Sequence, residues 1–303
     1  MTENENDVAW REYNIHDDYN KTTTSDNNQS QEEDNNDEQQ QPVDIFATQE
    51  DPYDVQEYTF PDKNHGDDDN NGKTQITIIL REQKDYDVST GMSVWKGSEI
   101  LCQYLIEHPH VIRGKKVLEV GAGVGLCGVV SAKVLGASSV LLTDGDQLVL
   151  GNLRHNMELN ELLGSSSTTT TTTTTNNESS SSCPCSCSCP QLIWGKSRAI
   201  TFEKEYGKQD VILATDCVYV TKSVRPLFET VSQLLVSKKN NNNGNNDDGG
   251  GIFLFVNSCA SICPLEEVMR IGKEFGFAAS EEEMWYQQPG DESDPVYVFR
   301  RRC

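Results

Sequence analysis

The run Lys116-Val-Leu-Glu-Val-Gly-Ala-Gly-Val-Gly-Leu-Cys-Gly128 constrains this chain more than any other stretch. A short apolar strand carrying Glu119 leads into glycines at 121, 123, 125 and 128 and then into a helical pattern. A strand, a turn stripped of side chains and a helix N-terminus together make a nucleotide-sized cradle. Backbone N–H groups can approach a ligand there, and glycine takes the positive φ that such a turn demands. Gly123-Val-Gly-Leu-Cys-Gly128 also satisfies G-x-G-x-x-G, the dinucleotide-binding spacing. Taken alone, that spacing leaves a NAD-binding oxidoreductase open.

Two acids narrow the choice. Glu119 stands two residues before the first glycine, and Asp144 ends the next apolar run, Ser139-Val-Leu-Leu-Thr-Asp144. The turn then calls for a ligand that offers a cation and a ribose diol, and S-adenosylmethionine has both. The alternative is that Glu119 caps its own loop and Asp144 N-caps the following helix.

The rest of the pattern alternates as a doubly wound sheet does. A helix over about 146–160 follows the second strand, Gln191-Leu-Ile-Trp194 reads as strand three and Asp210–Thr215 as strand four. Val224, Leu227, Phe228, Val231, Leu234 and Leu235 repeat at helical spacing, Gly251–Val256 is strand five, and a helix covers about 264–276. Two further strands are expected around 281–287 and 295–301, and Glu57–Phe60 is expected to pair with Gln75–Leu80. The fold class is therefore α/β: a Rossmann-like, doubly wound, mostly parallel seven-stranded sheet with a C-terminal antiparallel hairpin.

Composition divides the chain. Residues 1–72 hold 21 Asp or Glu against 3 Lys or Arg, so they carry −18 of the net charge of −23. So polar a stretch cannot bury enough surface to offset its ordering entropy. Residues 1–53 read as a disordered acidic tail and 54–303 as the working domain. Residues 164–190 and 237–250 read as low-complexity inserts.

Several separated motifs share one resemblance. VLEVGAGVGLCG, LLTDGD, the LIWG at 192–195, the ATDCVY at 214–219 and the upstream Gly91-Met-Ser-Val-Trp95 resemble the class I, seven-strand methyltransferases, and within them methyltransferase family 16. The resemblance spans roughly residues 54–303. It implies S-adenosylmethionine as cofactor, with Gly121, Ala122 and Gly123 along the turn, Glu119 and Asp144 as its acids, and Trp194 and Trp95 as flat apolar faces beside it. Thr215 stands where the family commonly has Ala or Ser. The competing reading makes both tryptophans ordinary core aromatics.

By the same resemblance, Asp216-Cys-Val-Tyr219 is the acceptor side of a protein-lysine methyltransferase. A lysine amine, with an ordinary pKa of about 10.4, must lose its proton before it attacks a methyl group. Asp216 is the candidate that orients it, and Tyr219 the wall of an aromatic slot for its stem. The competing readings make Asp216 a cap on the next helix and Tyr219 a side chain packed on the sheet. A small-molecule methyltransferase and a non-catalytic binding module remain alternatives.

Electrostatics and cysteines complete the expectations. A strongly acidic chain whose one basic triplet is Arg300–Arg302 is a poor nucleic-acid binder, and a basic protein presenting a lysine is its natural complement. Cys183, Cys185, Cys187 and Cys189 have one-residue spacers, too short for the usual zinc pairs, and read as low-complexity drift. With no apolar leader and no stretch of 18 apolar residues, the expectation is a cytoplasmic monomer, the nucleus being a second location, with no metal and no membrane contact.

Overall fold

The computed structural model describes residues 52–63, 74–83, 89–163, 185–237, 250–258, 263–279, 284–287 and 294–301, all in one compact unit, Glu50–Cys303. Strands β1 (Tyr53–Pro61) and β2 (Gln75–Gln83) form an antiparallel pair of their own. The main sheet contains β3 (Lys116–Val120), β4 (Ser139–Thr143), β5 (Ser186–Ser188), β6 (Val211–Thr215), β7 (Ile252–Val256), β8 (Phe277–Ala279) and β9 (Tyr297–Arg301). Their order is β5-β4-β3-β6-β7-β9-β8. The first five in that order run parallel, and β9 is antiparallel to both β7 and β8. The chain winds outward from β3 in one direction, then returns to β6 and winds in the other. The reversal between β3 and β6 opens the crevice that ligands use in such sheets.

Helices α1 (Lys96–Glu107), α2 (Leu126–Lys133), α3 (Gln147–Leu159), α4 (Lys196–Tyr206), α5 (Val224–Leu234) and α6 (Leu265–Glu274) cover the two faces. Alternation along the strands assigns each residue to a layer. Val117, Leu213 and Leu254 meet α1, α2, α3 and the β1–β2 pair. Leu118, Ile212, Phe253 and Phe255 meet α4, α5 and α6. Strands buried on both faces carry near-continuous apolar runs, and all five residues of β6 and of β7 are buried.

Three details differ from the sequence expectations. Strand three is Ser186–Ser188, inside the stretch read as an insert, while Gln191 makes only an isolated bridge to Asp144. The cysteine run supplies that strand because its period is two. Cys185 and Cys189 are each 8% exposed and, with Cys187, pack on the core, while Ser186 faces solvent. Free thiols act here as small apolar side chains, which corrects the reading of these residues as drift. The C-terminal hairpin begins at Phe277 rather than near 281, and Trp285 bridges Val296 beyond it. Helix α4 carried no strong apolar period and was not expected. The acidic residues 1–51, the Thr tract and the run 238–249 lie outside the described residues.

A ladder of buried asparagines fastens the hairpin to the main domain. Asn152, Asn156 and Asn160, four residues apart, share one face of α3 and its C-cap. Asn160 accepts from Ile79 N at 3.1 Å and donates to Ile79 O at 2.7 Å. Asn156 accepts from Arg81 N at 2.8 Å and donates to Arg81 O at 3.3 Å and to Val124 O at 3.0 Å. Asn152 accepts from Arg81 Nε and donates to Arg81 O. The amides thus imitate a neighbouring strand for β2, and Asn156 also grips the end of the glycine turn. Replacing Asn156 with leucine strands these backbone groups in a dry interface, which costs about 2–4 kcal/mol. Thermal melts of Asn156→Leu are expected to show that loss, whereas Leu148→Ala, at an exposed position, stays within about 0.5 kcal/mol of the parent.

Candidate active site

The glycine turn joins β3 to α2 through three left-handed residues, Gly121 (φ 64°), Gly123 (φ 56°) and Gly125 (φ 92°). Space is as restrictive as φ. A Cβ on Gly121 would stand 2.6 Å from the Cys217 Cβ and 3.5 Å from the Trp194 ring, and one on Gly123 would stand 3.1 Å from the Gly91 carbonyl oxygen. The turn is therefore wedged between the loops after β5 and β6 and the segment before α1. Ala122 N donates to Thr143 O at 2.9 Å, which ties the turn to the end of β4.

Glu119 is buried on β3, and its Oε2 accepts from Gly128 N in the first turn of α2 at 2.7 Å. It therefore works as a helix cap reached from a strand, and its carboxylate strengthens the junction on which the turn rests. Asp144 Oδ2 accepts from Gly123 N at 3.2 Å, inside the turn, and its Oδ1 accepts from Asp146 N at 3.0 Å. The N-cap of α3 is Asp146, which accepts from Leu148 N at 2.8 Å, so Asp144 stays with the turn.

These acids crowd one another. Burial, and then the charge of Asp144, push Glu119 up to about 8. Burial also raises Asp144, with Asp146 adding to the shift, and raises the Cys217 thiol, on which Asp216, Asp144 and Glu119 all act. Burial leads in each case, and the neighbouring charges named here are negative. The crevice at the carboxyl ends of β3, β4 and β6 is thus an electrostatic hole that favours a cation.

Asp216, at the end of β6, bonds to donors of the chain itself. It sits in the left-handed region (φ 48°), a conformation that aspartate tolerates better than most residues. Its Oδ2 accepts from Gly97 N at 2.8 Å and from Ser258 Oγ at 2.8 Å, and its Oδ1 accepts from Ser258 N at 2.6 Å. Both oxygens are engaged in joining the N-terminus of α1 to the loop after β7. It is a helix cap, but of α1 and not of the next helix. A Cβ on Gly97 would come within 2.5 Å of Oδ2, so glycine is required there. One residue on, Ser98 Oγ and Thr215 Oγ1 lie 2.9 Å apart, which explains a hydroxyl at Thr215.

This clasp places Trp95, the residue that starts α1. Its indole N–H donates to Thr90 O at 2.7 Å, which folds the 90–95 segment against itself beside Gly91 and the turn. Tyr219 is 48% exposed, with Thr90 hydrogen-bonding its phenol, and burial followed by Asp144 and Asp146 raises its pKa. Its neighbours, Thr90, Asp144, Asp146 and Cys217, place it beside the glycine turn. Trp194 is half-buried, with one edge on the main core and its ring above Gly121. The crevice thus gathers Trp95, Gly121, Ala122, Gly123, Asp144, Trp194 and Tyr219, while Glu119, Thr215 and Asp216 support it from behind. Sequence reasoning missed Thr90, Gly97, Ser98, Asp146 and Ser258. Of these only Asp146, an Asp directly before a helical pattern, carried a local signal.

A Rossmann-like domain with a cation-seeking glycine crevice at its switch point is the class that fold and geometry define. The chain belongs to the lysine methyltransferase family, whose model matches residues 73–242. Among curated proteins it is 27% identical over 174 residues to calmodulin-lysine N-methyltransferase of Arabidopsis thaliana, covering 54% of this chain and 50% of that protein. It is 28% identical over 150 residues to a protein-lysine N-methyltransferase of Chaetomium thermophilum, covering 48% of this chain and 39% of that one. Over a shorter span of 68 residues it is 41% identical to the human electron transfer flavoprotein beta subunit lysine methyltransferase, 22% of this chain and 26% of that one. The chain spans half or less of the length of these relatives.

Two measurements check the geometry. Asp216→Ala removes three hydrogen bonds to a carboxylate and leaves two backbone donors without it, so a loss of about 2–4 kcal/mol is expected in denaturant titration. The second concerns Glu119, whose folded pKa of about 8 lies above the ordinary 4.5. Between those values the folded chain holds a proton that the unfolded chain has released, so this group's contribution to stability is lost as pH rises through the interval. Glu119→Gln keeps an acceptor for Gly128 N, and its Tm should fall less than the parent's across that range. Parallel profiles would place the Glu119 charge outside the folding equilibrium.

Proposed function

We propose that the crevice binds S-adenosylmethionine and that the chain transfers its methyl group to the ε-amine of a lysine on a protein. The observation that carries the reading is the acidic crevice around the glycine turn, where burial and neighbouring acids, Asp144 on Glu119 and Asp146 on Asp144, raise the carboxyls. A nicotinamide dinucleotide brings a pyrophosphate, which such a field repels, whereas an ammonium and a sulfonium relieve it. The turn, held open by glycines that admit no side chain, fits a nucleoside-sized ligand for the same reason. Family membership supports the reaction class, and the names of the relatives support a protein acceptor.

S-adenosylmethionine supplies, when bound, a methyl group activated by a positively charged sulfur. The residues that would hold it are the Gly121–Gly123 backbone, Asp144 toward the ribose hydroxyls, Trp194 with its flat face toward the adenine, and Trp95 at the edge of the N-terminal segment. Glu119, behind the wall, would add its charge once a bound cation favours its ionised form. On the acceptor side, the acids draw in a lysine ammonium and Tyr219 lines its stem. The amine sheds its proton to water at the open rim, and orientation supplies the main acceleration. Asp216 acts as a positioning residue that holds α1, and with it Trp95, in place.

The net charge of −23 favours a basic substrate surface. A reducing cytoplasm is the location we infer, since Cys102, Cys127, Cys185 and Cys189 are buried as small apolar side chains. Among those residues no helix is long and apolar enough to cross a membrane.

Titration with S-adenosylmethionine, S-adenosylhomocysteine and NAD tests the cofactor, and tritiated methyl transfer into a protein fraction against a small-molecule fraction tests the acceptor. A cation bound beside Glu119 favours its ionised form. Binding at neutral pH should therefore release protons, and affinity should rise from about pH 6 to about pH 8. Preference for NAD, or label only in small molecules, would replace the reading.

A further inference from the structure

The β1–β2 pair has an edge that the domain leaves open. Ile79 and Arg81 spend their backbone N–H and C=O groups on Asn160, Asn156 and Asn152. Their partners in register, Glu57 and Val55, therefore form non-hydrogen-bonded pairs with β2, as does Thr59 opposite Thr77. It follows that the backbone groups of Val55, Glu57 and Thr59 point away from β2. The inner pairs, Tyr58 with Ile78 and Gln56 with Leu80, carry the ladder, and Tyr58 and Phe60 pack on the core. Among the described residues no strand lies on the outer side of β1, whose Val55 side chain is 62% exposed. An open edge of this length is a template for another extended chain, and natural proteins usually blunt one.

The open edge is connected to the crevice. Tyr58 donates its hydroxyl to Glu82 Oε1 at 2.7 Å, and Glu82 Oε2 accepts from Val94 N at 2.8 Å, one residue before Trp95. Asp54, Glu57 and Asp62 lie on or just beyond β1 against the single Lys63. Pro61, which has no N–H, ends the usable edge on the far side from Tyr53.

We propose that the outer edge of β1 is a docking strand for the substrate. An extended, basic segment of the protein that carries the target lysine adds antiparallel or parallel to Val55, Glu57 and Thr59, and its onward chain is led by the Tyr53 end toward the Trp95 rim. The inference rests on the protein-lysine methyltransferase reading for the identity of the occupant. Main-chain hydrogen bonds give the affinity, and alternating basic side chains meet the acids. Such docking accepts many sequences while demanding that the segment be extended.

The test uses the whole chain and a synthetic peptide of about fifteen residues that alternates valine or threonine with lysine or arginine. Hydrogen exchange read by NMR should show the amides of Val55, Glu57 and Thr59 slowed at least about tenfold on adding the peptide, while those of Gln56 and Tyr58, protected within the hairpin, change little. Glu57→Pro removes an outward N–H that the hairpin does not use, so the peptide should bind at least about tenfold more weakly to a variant whose melting curve still shows a folded domain. Unchanged exchange at the three amides would overturn the proposal. So would amides already protected without peptide, because another part of this chain or a second copy would then occupy the edge. Tritium transfer from S-adenosylmethionine to the same peptide is read separately. Transfer without edge protection removes the docking strand and leaves the reaction standing, whereas protection without transfer upholds the docking and counts against the reaction.

Discussion

The carboxylate of Asp216 is the constraint on which the working end of this molecule depends. It accepts from Gly97 N, Ser258 N and Ser258 Oγ, and so joins three chain segments that are distant in sequence. Helix α1 could otherwise slide along its apolar face, since hydrophobic contact is not directional. Charge-assisted hydrogen bonds are directional, and these fix the start of α1 in register with the ends of β6 and β7. Trp95, Thr90 and Tyr219 take their places at the crevice as a consequence, and aspartate's tolerance of left-handed backbone allows the clasp to form at the turn out of β6.

The crevice follows a different physical logic. Burying carboxyl groups together is unfavourable, and the folded chain absorbs part of that cost by holding Glu119 protonated near neutral pH. A site that stabilised these acids with its own lysine or arginine would have no field left for a ligand. Held by the backbone donors Gly128 N and Gly123 N beside other acids, these carboxyls leave the site responsive to a cation. The asparagine ladder contributes from the other side. It carries no charge, and by satisfying the backbone of β2 it holds the hairpin against α3 and the glycine turn.

Local patterns in the chain made much of this legible. The strand, glycine turn and helix of 116–133 needed only apolar spacing and glycine to be recognised, and the parallel order followed from strands alternating with amphipathic helices. Ser186–Ser188 escaped because cysteine and serine repeats look like low complexity, and their period of two has meaning only beside a β4 edge that awaits a partner. Helix α4 escaped because its mean character is polar and only Ala199 and Phe202 are buried.

Site residues divide along the same line. The strand, turn and helix pattern places Gly121, Gly123 and Asp144 at the carboxyl ends of β3 and β4, whereas Trp95, Trp194 and Tyr219 lie on loops and a helix start that the resemblance, not the apolar pattern, singled out. What Asp216 and Glu119 bond to was not readable. An acid after a strand has the same local appearance whether it faces a ligand, caps the following helix or reaches a helix 119 residues away, as Asp216 does to Gly97. Sequence determines the backbone path and which faces are apolar, since both arise from interactions between near neighbours. Only tertiary packing decides which donors arrive at a given carboxylate, because that depends on how helices from distant parts of the chain come to rest on the sheet.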